Sequence, residues 1–72
     1  MKEYKGVKIP EVDDLEIPTK EAHTITIPIG KGSITVPFST EDLTSSKTNL
    51  DLKSIINLAI YESAKIFIDA RN

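Results

Sequence analysis

The sequence predicts a small α+β domain, in which a β-hairpin packs against one long C-terminal helix and the whole forms a homodimer. Two β-branched runs flank a glycine turn within residues 23–38, as expected for a hairpin. Residues 49–70 contain no proline or glycine, and their apolar side chains recur at helical spacing. A length of 72 residues suits one domain, residues 1–72, with a small core.

The hairpin has one apolar face, because side chains alternate along a strand with a period of two. The residues on that face are Ile25, Ile27, Ile29, Ile34, Val36 and Phe38. A two-residue loop at Gly30-Lys31 pairs Ile27 with Ile34 and suits a type II′ turn. A four-residue loop from Gly30 to Ser33 pairs Ile27 with Val36. Both registers keep the apolar face intact, whereas a three-residue loop does not.

Extended structure is also predicted before the hairpin. Each of the four prolines follows an isoleucine or valine, and this pairing disfavours helical backbone. We therefore expect residues Tyr4 to Phe38 to be non-helical. Residues 1–22 then form an extended acidic segment that adds one or two strands to the hairpin, in an antiparallel meander of three or four strands.

A short cap and linker, residues 39–48, separates the hairpin from the helix. Ser39 followed by acids is typical of a helix start, but Leu43 is its single apolar anchor, so we expect at most one turn. Thr48 and Asp51 resemble a capping box for the long helix, predicted at about 49–70.

This helix carries two apolar faces. At 100° per residue, one arc of about 140° is predicted to cover the hairpin. That arc contains Leu52, Ile55, Ile56, Ala59, Ile60, Ser63, Ile66, Phe67 and Ala70. A second stripe, Leu50, Tyr61, Ala64 and Ile68, lies on the opposite side. Because one small sheet covers one face, we predict that the second stripe is a homodimer interface.

Composition argues against catalytic, cofactor and metal sites. The chain has no cysteine, and its single histidine, His23, lacks the neighbours of a catalytic triad. Gly30-Lys31-Gly32 lacks the glycine spacing and following helix of a phosphate-binding loop, so it predicts a turn. We therefore expect a protein that is not an enzyme and that needs no cofactor or metal ion.

The charge pattern points to a protein partner. Net charge is −2 and Arg71 is the one arginine, so direct binding to nucleic acid is not expected. The predicted partner-binding acidic surface comprises Glu11, Asp13, Asp14, Glu16, Glu21, Glu41 and Asp42. In an extended strand, carboxylates two residues apart approach the spacing of alternate DNA phosphates. The predicted function is thus an interaction module, a regulator or inhibitor that binds a basic protein by imitating a phosphate backbone.

The alternative is a small dimeric DNA-binding transcriptional regulator with strand-then-helix order. That order is loosely compatible with ribbon-helix-helix or swapped-hairpin proteins, but the strands offer threonines where such proteins use lysine and arginine. The N-terminus does not resemble a signal peptide. The longest apolar run, Leu58 to Tyr61, is too short to cross a bilayer, so no membrane association and a cytoplasmic location are expected.

Overall fold

The computed structural model describes residues 1–71 and shows an α+β fold of two small antiparallel sheets and a long C-terminal helix. Each sheet of the described chain is a two-stranded hairpin, so the expected single meander is wrong. The elements are β1 (Lys2–Tyr4), β2 (Val7–Ile9), a 3-10 turn (Val12–Asp14), β3 (Ile25–Ile29), β4 (Gly32–Val36), α1 (Thr40–Ser46) and α2 (Leu50–Arg71).

The β3–β4 hairpin has the register of the two-residue loop. Ile27 lies opposite Ile34, and Ile29 lies opposite Gly32. Gly30 has φ of 58°, while Lys31 is not among the residues with positive φ. A positive φ at the first loop position alone is the requirement of a type II′ turn, and glycine meets it without strain.

The β1–β2 hairpin turns differently. Lys5 and Gly6 have φ of 50° and 79°, and positive φ at both loop positions is the mark of a type I′ turn. Lysine is an uncommon residue in this left-handed region. The hairpin is held by its own ladder and by burial of Ile9.

A 3-10 turn at Val12–Asp14 interrupts the segment that was expected to be fully extended. The Val12 side chain is buried, and its backbone N–H donates to Oδ1 of Asn57 on α2 at 2.8 Å. The Asp14 carboxylate accepts from the N–H of Glu11 at 3.0 Å. The expectation failed because a side chain distant in sequence stabilises this turn.

Helix α1 is longer than the single turn expected, spanning seven residues. Ser39 caps it as predicted, accepting from the Asp42 N–H at 3.1 Å. The additional length comes from Ser46, which is fully buried beside Leu43 and donates its hydroxyl to the Leu43 carbonyl at 2.7 Å. Because this hydrogen bond satisfies the hydroxyl, Ser46 can be buried at a position where the sequence analysis considered only apolar side chains.

The predicted extent of α2 is confirmed, but its cap is not. Asn49 Oδ1 accepts from the Leu52 N–H at 3.1 Å, whereas the Thr48 hydroxyl donates backwards to the Ser45 carbonyl. Asparagine is among the strongest N-cap residues, so the capping box predicted at Thr48 and Asp51 is wrong.

The face of α2 that packs on the rest of the chain also differs from the prediction. Its buried residues are Ile56, Ile60, Ala64 and Ile68. Ile55 and Ile66, which were assigned to the core, are 60% and 71% exposed. At 100° per residue, the buried arc is centred roughly 90° from the predicted one. The core also contains Ile9, Val12, Ile25, Ile27, Ile29, Val36 and Leu43.

Two matched substitutions test this orientation of α2. Ile60→Ala should lower the free energy of unfolding by about 2–5 kcal/mol, because it leaves a cavity in the core. Ile66→Ala should change it by less than about 0.5 kcal/mol, because that side chain is exposed. Urea denaturation measures both. If Ile60→Ala does not fold, Ile60→Val should cost about 0.5–1.5 kcal/mol. Equal losses at the two positions would contradict the orientation.

Candidate interaction surface

The solvent side of α2 carries large apolar side chains. Ile55, Leu58 and Ile66 are 60%, 57% and 71% exposed. At 100° per residue, these three share one side of the helix with Asp51 and Glu62. We call these five residues the outer face. It is a surface in which apolar side chains alternate with carboxylates.

The electrostatics of the outer face are acidic with one flanking cation. Glu62 Oε1 lies 3.2 Å from Nζ of Lys65, and this hydrogen-bonded carboxylate raises the pKa of Lys65. The Lys65 ammonium also lies 5.0 Å from the centre of the Tyr61 ring, at the margin of the face. Asp51 occupies the first turn, where the helix dipole favours a carboxylate.

The residues predicted as a dimer interface do not form one exposed stripe. Ala64 and Ile68 are buried within the chain. Tyr61 is half-buried, edge-on to Tyr4 with ring centres 6.4 Å apart. Leu50 is 73% exposed, near the N-terminal end of α2. The two predicted faces are therefore misplaced, since the stripe assigned to a partner supplies part of the core.

The predicted acidic residues fall into two groups, of which the first surrounds the 3-10 turn. Glu11 Oε1 lies 3.0 Å from the Met1 ammonium. Asp13 Oδ1 lies 3.2 Å from Nζ of Lys53 and 3.8 Å from Nζ of Lys47. The charge of this group is therefore largely compensated inside the chain. The turn also removes the extended row of carboxylates on which phosphate imitation depended.

The second group lies where residues 20–22 meet the start of α1. The Thr40 N–H donates to the Ala22 carbonyl at 3.0 Å, and the Ala22 N–H donates to the Thr40 hydroxyl at 2.9 Å. These bonds bring the neighbouring Glu21 and Glu41 to the same region. Asp42 accepts from the Ser39 N–H and so acts as a cap.

Three of the predicted acids are exposed and free of close cations. Within residues 1–71, no ion pair within 4.0 Å involves Glu16, Glu21 or Glu41. The acidic surface predicted from the sequence stays a prediction, and the outer face was not predicted. The missed signal was the placement of Asp51 and Glu62 on one side of α2, which marks that side as solvent-facing.

His23 is exposed in the bend before β3. Over residues 1–71, no three acidic or histidine side chains are grouped as a metal site requires. No helix of the described part is long and apolar enough to span a membrane. Comparison of the chain with protein-family models, curated proteins and solved structures found no match.

The lowered pKa of Asp14 should make the stability of the fold depend on pH. The hydrogen bond from the Glu11 N–H, helped by the Met1 ammonium, lowers the pKa of Asp14 below its usual value. A lowered folded-state pKa stabilises the fold above the unfolded pKa of about 3.9, and this stabilisation is lost as pH falls through the folded value. Asp14→Ala should therefore unfold at lower urea than the unmodified chain at pH 7, with the gap closing towards pH 2.

Glu16→Ala is the matched control for this titration. The exposed Glu16 has no ion-pair partner within residues 1–71, so its removal should leave the urea midpoint unchanged at each pH. A gap between Asp14→Ala and the unmodified chain that stays constant from pH 7 to pH 2 would contradict a role for the Asp14 charge.

Proposed function

We propose that this protein is a non-enzymatic interaction module whose outer face docks onto a basic amphipathic helix of another protein. The observation that carries the proposal is the exposure of Ile55, Leu58 and Ile66 on one side of one rigid helix. Its composition without cysteine fits a reducing compartment, and we expect it to act in the cytoplasm.

Burial of the outer face supplies the apolar part of the affinity. A large aliphatic side chain contributes roughly 1.5–3 kcal/mol when it moves fully from water to an apolar contact. Grouped apolar side chains on a surface are typical of protein-binding sites, whereas single ones are ordinary. Residues Ile55 and Leu58 are one turn apart and Ile66 lies two turns beyond, which suits packing against a second helix.

The carboxylates of the outer face favour a basic partner. Asp51 precedes the apolar side chains and Glu62 lies between Leu58 and Ile66, and the chain as a whole carries a net charge of −2. Lysine or arginine on the partner would pair with these carboxylates and speed association by steering. This arrangement replaces phosphate imitation, because the acids near the 3-10 turn are not in an extended row.

A second copy of this chain fits the outer face less well. Antiparallel pairing of Ile55 with Ile66 of another copy would place the two Glu62 side chains about 5 Å apart along the helix axis. Like charges at that separation repel, more strongly as water leaves the contact, and Lys65 of each copy offsets part of this repulsion because it lies 3.2 Å from its own Glu62. The homodimer predicted from the sequence therefore remains a prediction and an alternative outcome of the experiment below.

Calorimetric titration with a synthetic leucine–lysine amphipathic peptide tests the proposal. The unmodified chain should bind it, and the double variant Ile55→Ser, Leu58→Ser should bind at least about tenfold more weakly through lost apolar burial. Leu50→Ser is the control, since Leu50 is more exposed than either residue on the same helix but lies outside the outer face. It should bind with unchanged affinity. A leucine–glutamate peptide of the same pattern should not bind.

Three outcomes would contradict the proposal. Equal weakening by Leu50→Ser and by the double variant would show non-specific binding. A dimer in light scattering that the double variant converts to a monomer would assign the outer face to self-association. A salt-sensitive, sequence-specific DNA gel shift would favour the DNA-binding alternative.

A further inference from the structure

A cleft of about 270 Å³ opens at the end of the molecule where the two hairpin turns meet the last turn of α2. No residue of the outer face lines it. Val7, Ile29, Phe67 and Ile68 provide its apolar walls, and the Gly30–Gly32 backbone forms one side. Its lining also includes three cationic residues, Lys5, Lys31 and Arg71. Three cations around an apolar floor form an unusual grouping in a chain of net negative charge.

Close approach of Phe67 to β4 shapes the cleft. A Cβ on Gly32 would lie 2.5 Å from Cζ of Phe67 and 3.1 Å from a guanidinium nitrogen of Arg71. The absence of a side chain at Gly32 therefore allows the ring and the guanidinium to lie directly on the strand. Arg71 is also stacked on Phe67, with its Cζ 5.2 Å from the ring centre. The cation is thereby held beside the apolar wall.

The three cations of the cleft differ in whether a carboxylate already lies beside them. Nζ of Lys5 lies 2.8 Å from Oδ1 of Asp69, and this contact lowers the pKa of Asp69. Within residues 1–71, Lys31 and Arg71 have no carboxylate within 4.0 Å. Because the C-terminal carbonyls of α2 are partially negative, an anion is best placed on the side of Lys31, which belongs to the hairpin turn.

We propose that this cleft binds a small amphiphilic carboxylate, with the apolar body against Val7, Ile29 and Phe67 and the carboxylate between Lys31 and Arg71. The volume suits a small molecule rather than a folded partner. Arginine binds a carboxylate through paired N–H donors, and lysine adds a mobile point charge. The ligand class follows from the combination, since neither an inorganic anion nor a neutral hydrocarbon uses both parts of the cleft.

Octanoate is a suitable probe, followed by amide NMR on the full chain. Saturable shifts are expected for Lys5–Val7, Ile29–Gly32 and the last turn of α2. Lys31→Ala and Arg71→Ala should each weaken binding by about tenfold, the effect of removing one charge-assisted contact. Lys20→Ala is the charge-matched control, because Lys20 is exposed and does not line the cleft. It should leave the affinity unchanged.

Two further ligands test the contribution of the cations and that of the apolar walls separately. 1-Octanol should bind at least about tenfold more weakly than octanoate, and inorganic phosphate should give no saturable shift at the cleft. Equal binding of octanol and octanoate would overturn the role of the cations, and saturable binding of phosphate would overturn the role of the apolar walls. Octanoate shifts confined to Ile55, Leu58 and Ile66 would place the ligand on the outer face and overturn the assignment.

Discussion

The packing of one narrow stripe of α2 against both hairpins is the interaction on which the rest of the fold depends. A two-stranded hairpin is marginal at best in water, and the described chain has two of them, joined by residues 10–24. Helix α2 contacts β2, β4, the 3-10 turn and α1. Burial of Ile56 and Ile60 at its centre joins both hairpins to the helix, in addition to the direct contact between β2 and β3.

That stripe occupies only part of the circumference of α2. Ile56, Ile60, Ala64 and Ile68 follow each other at intervals of four residues, so they wind slowly around the helix by about 40° at each step. They cross the sheets as one line of contacts. The apolar side chains of Ile55, Leu58 and Ile66 are left on the solvent side. The same geometry that builds the core thus creates the proposed docking surface.

Local chemistry predicted much of the architecture. The rule that cross-strand partners share a face reduced the register of β3 and β4 to two alternatives, and the structure has the one with the two-residue loop at Gly30-Lys31. The extent of α2 followed from the lack of helix breakers in residues 49–70. The cap at Ser39 followed from its hydroxyl and the acids that come next. Each of these features depends on neighbours within a few residues or across a tight turn.

Long-range contacts set the features that prediction missed. The 3-10 turn depends on the bond from the Val12 N–H to Asn57, 45 residues away. The distribution of apolar residues predicted the wrong buried face of α2, because two polar residues, Asn57 and the half-buried Lys53, lie within the true one. Asn57 accepts from the Val12 N–H, and Lys53 pairs with Asp13. The acidic residues of α2 indicate its orientation better than its apolar residues do. Asp51 and Glu62 project within about 20° of one another, and the side opposite them is the buried one.

Solvent accessibility of the isoleucine methyl groups of α2 is the most direct test of this account. Methyl NMR with a soluble gadolinium chelate measures it residue by residue. At low protein concentration, the methyl signals of Ile55 and Ile66 should broaden strongly, whereas those of Ile56 and Ile60 should be protected. Protection of Ile55 and Ile66 with broadening of Ile56 or Ile60 would contradict both the packing of α2 and the surface proposed from it.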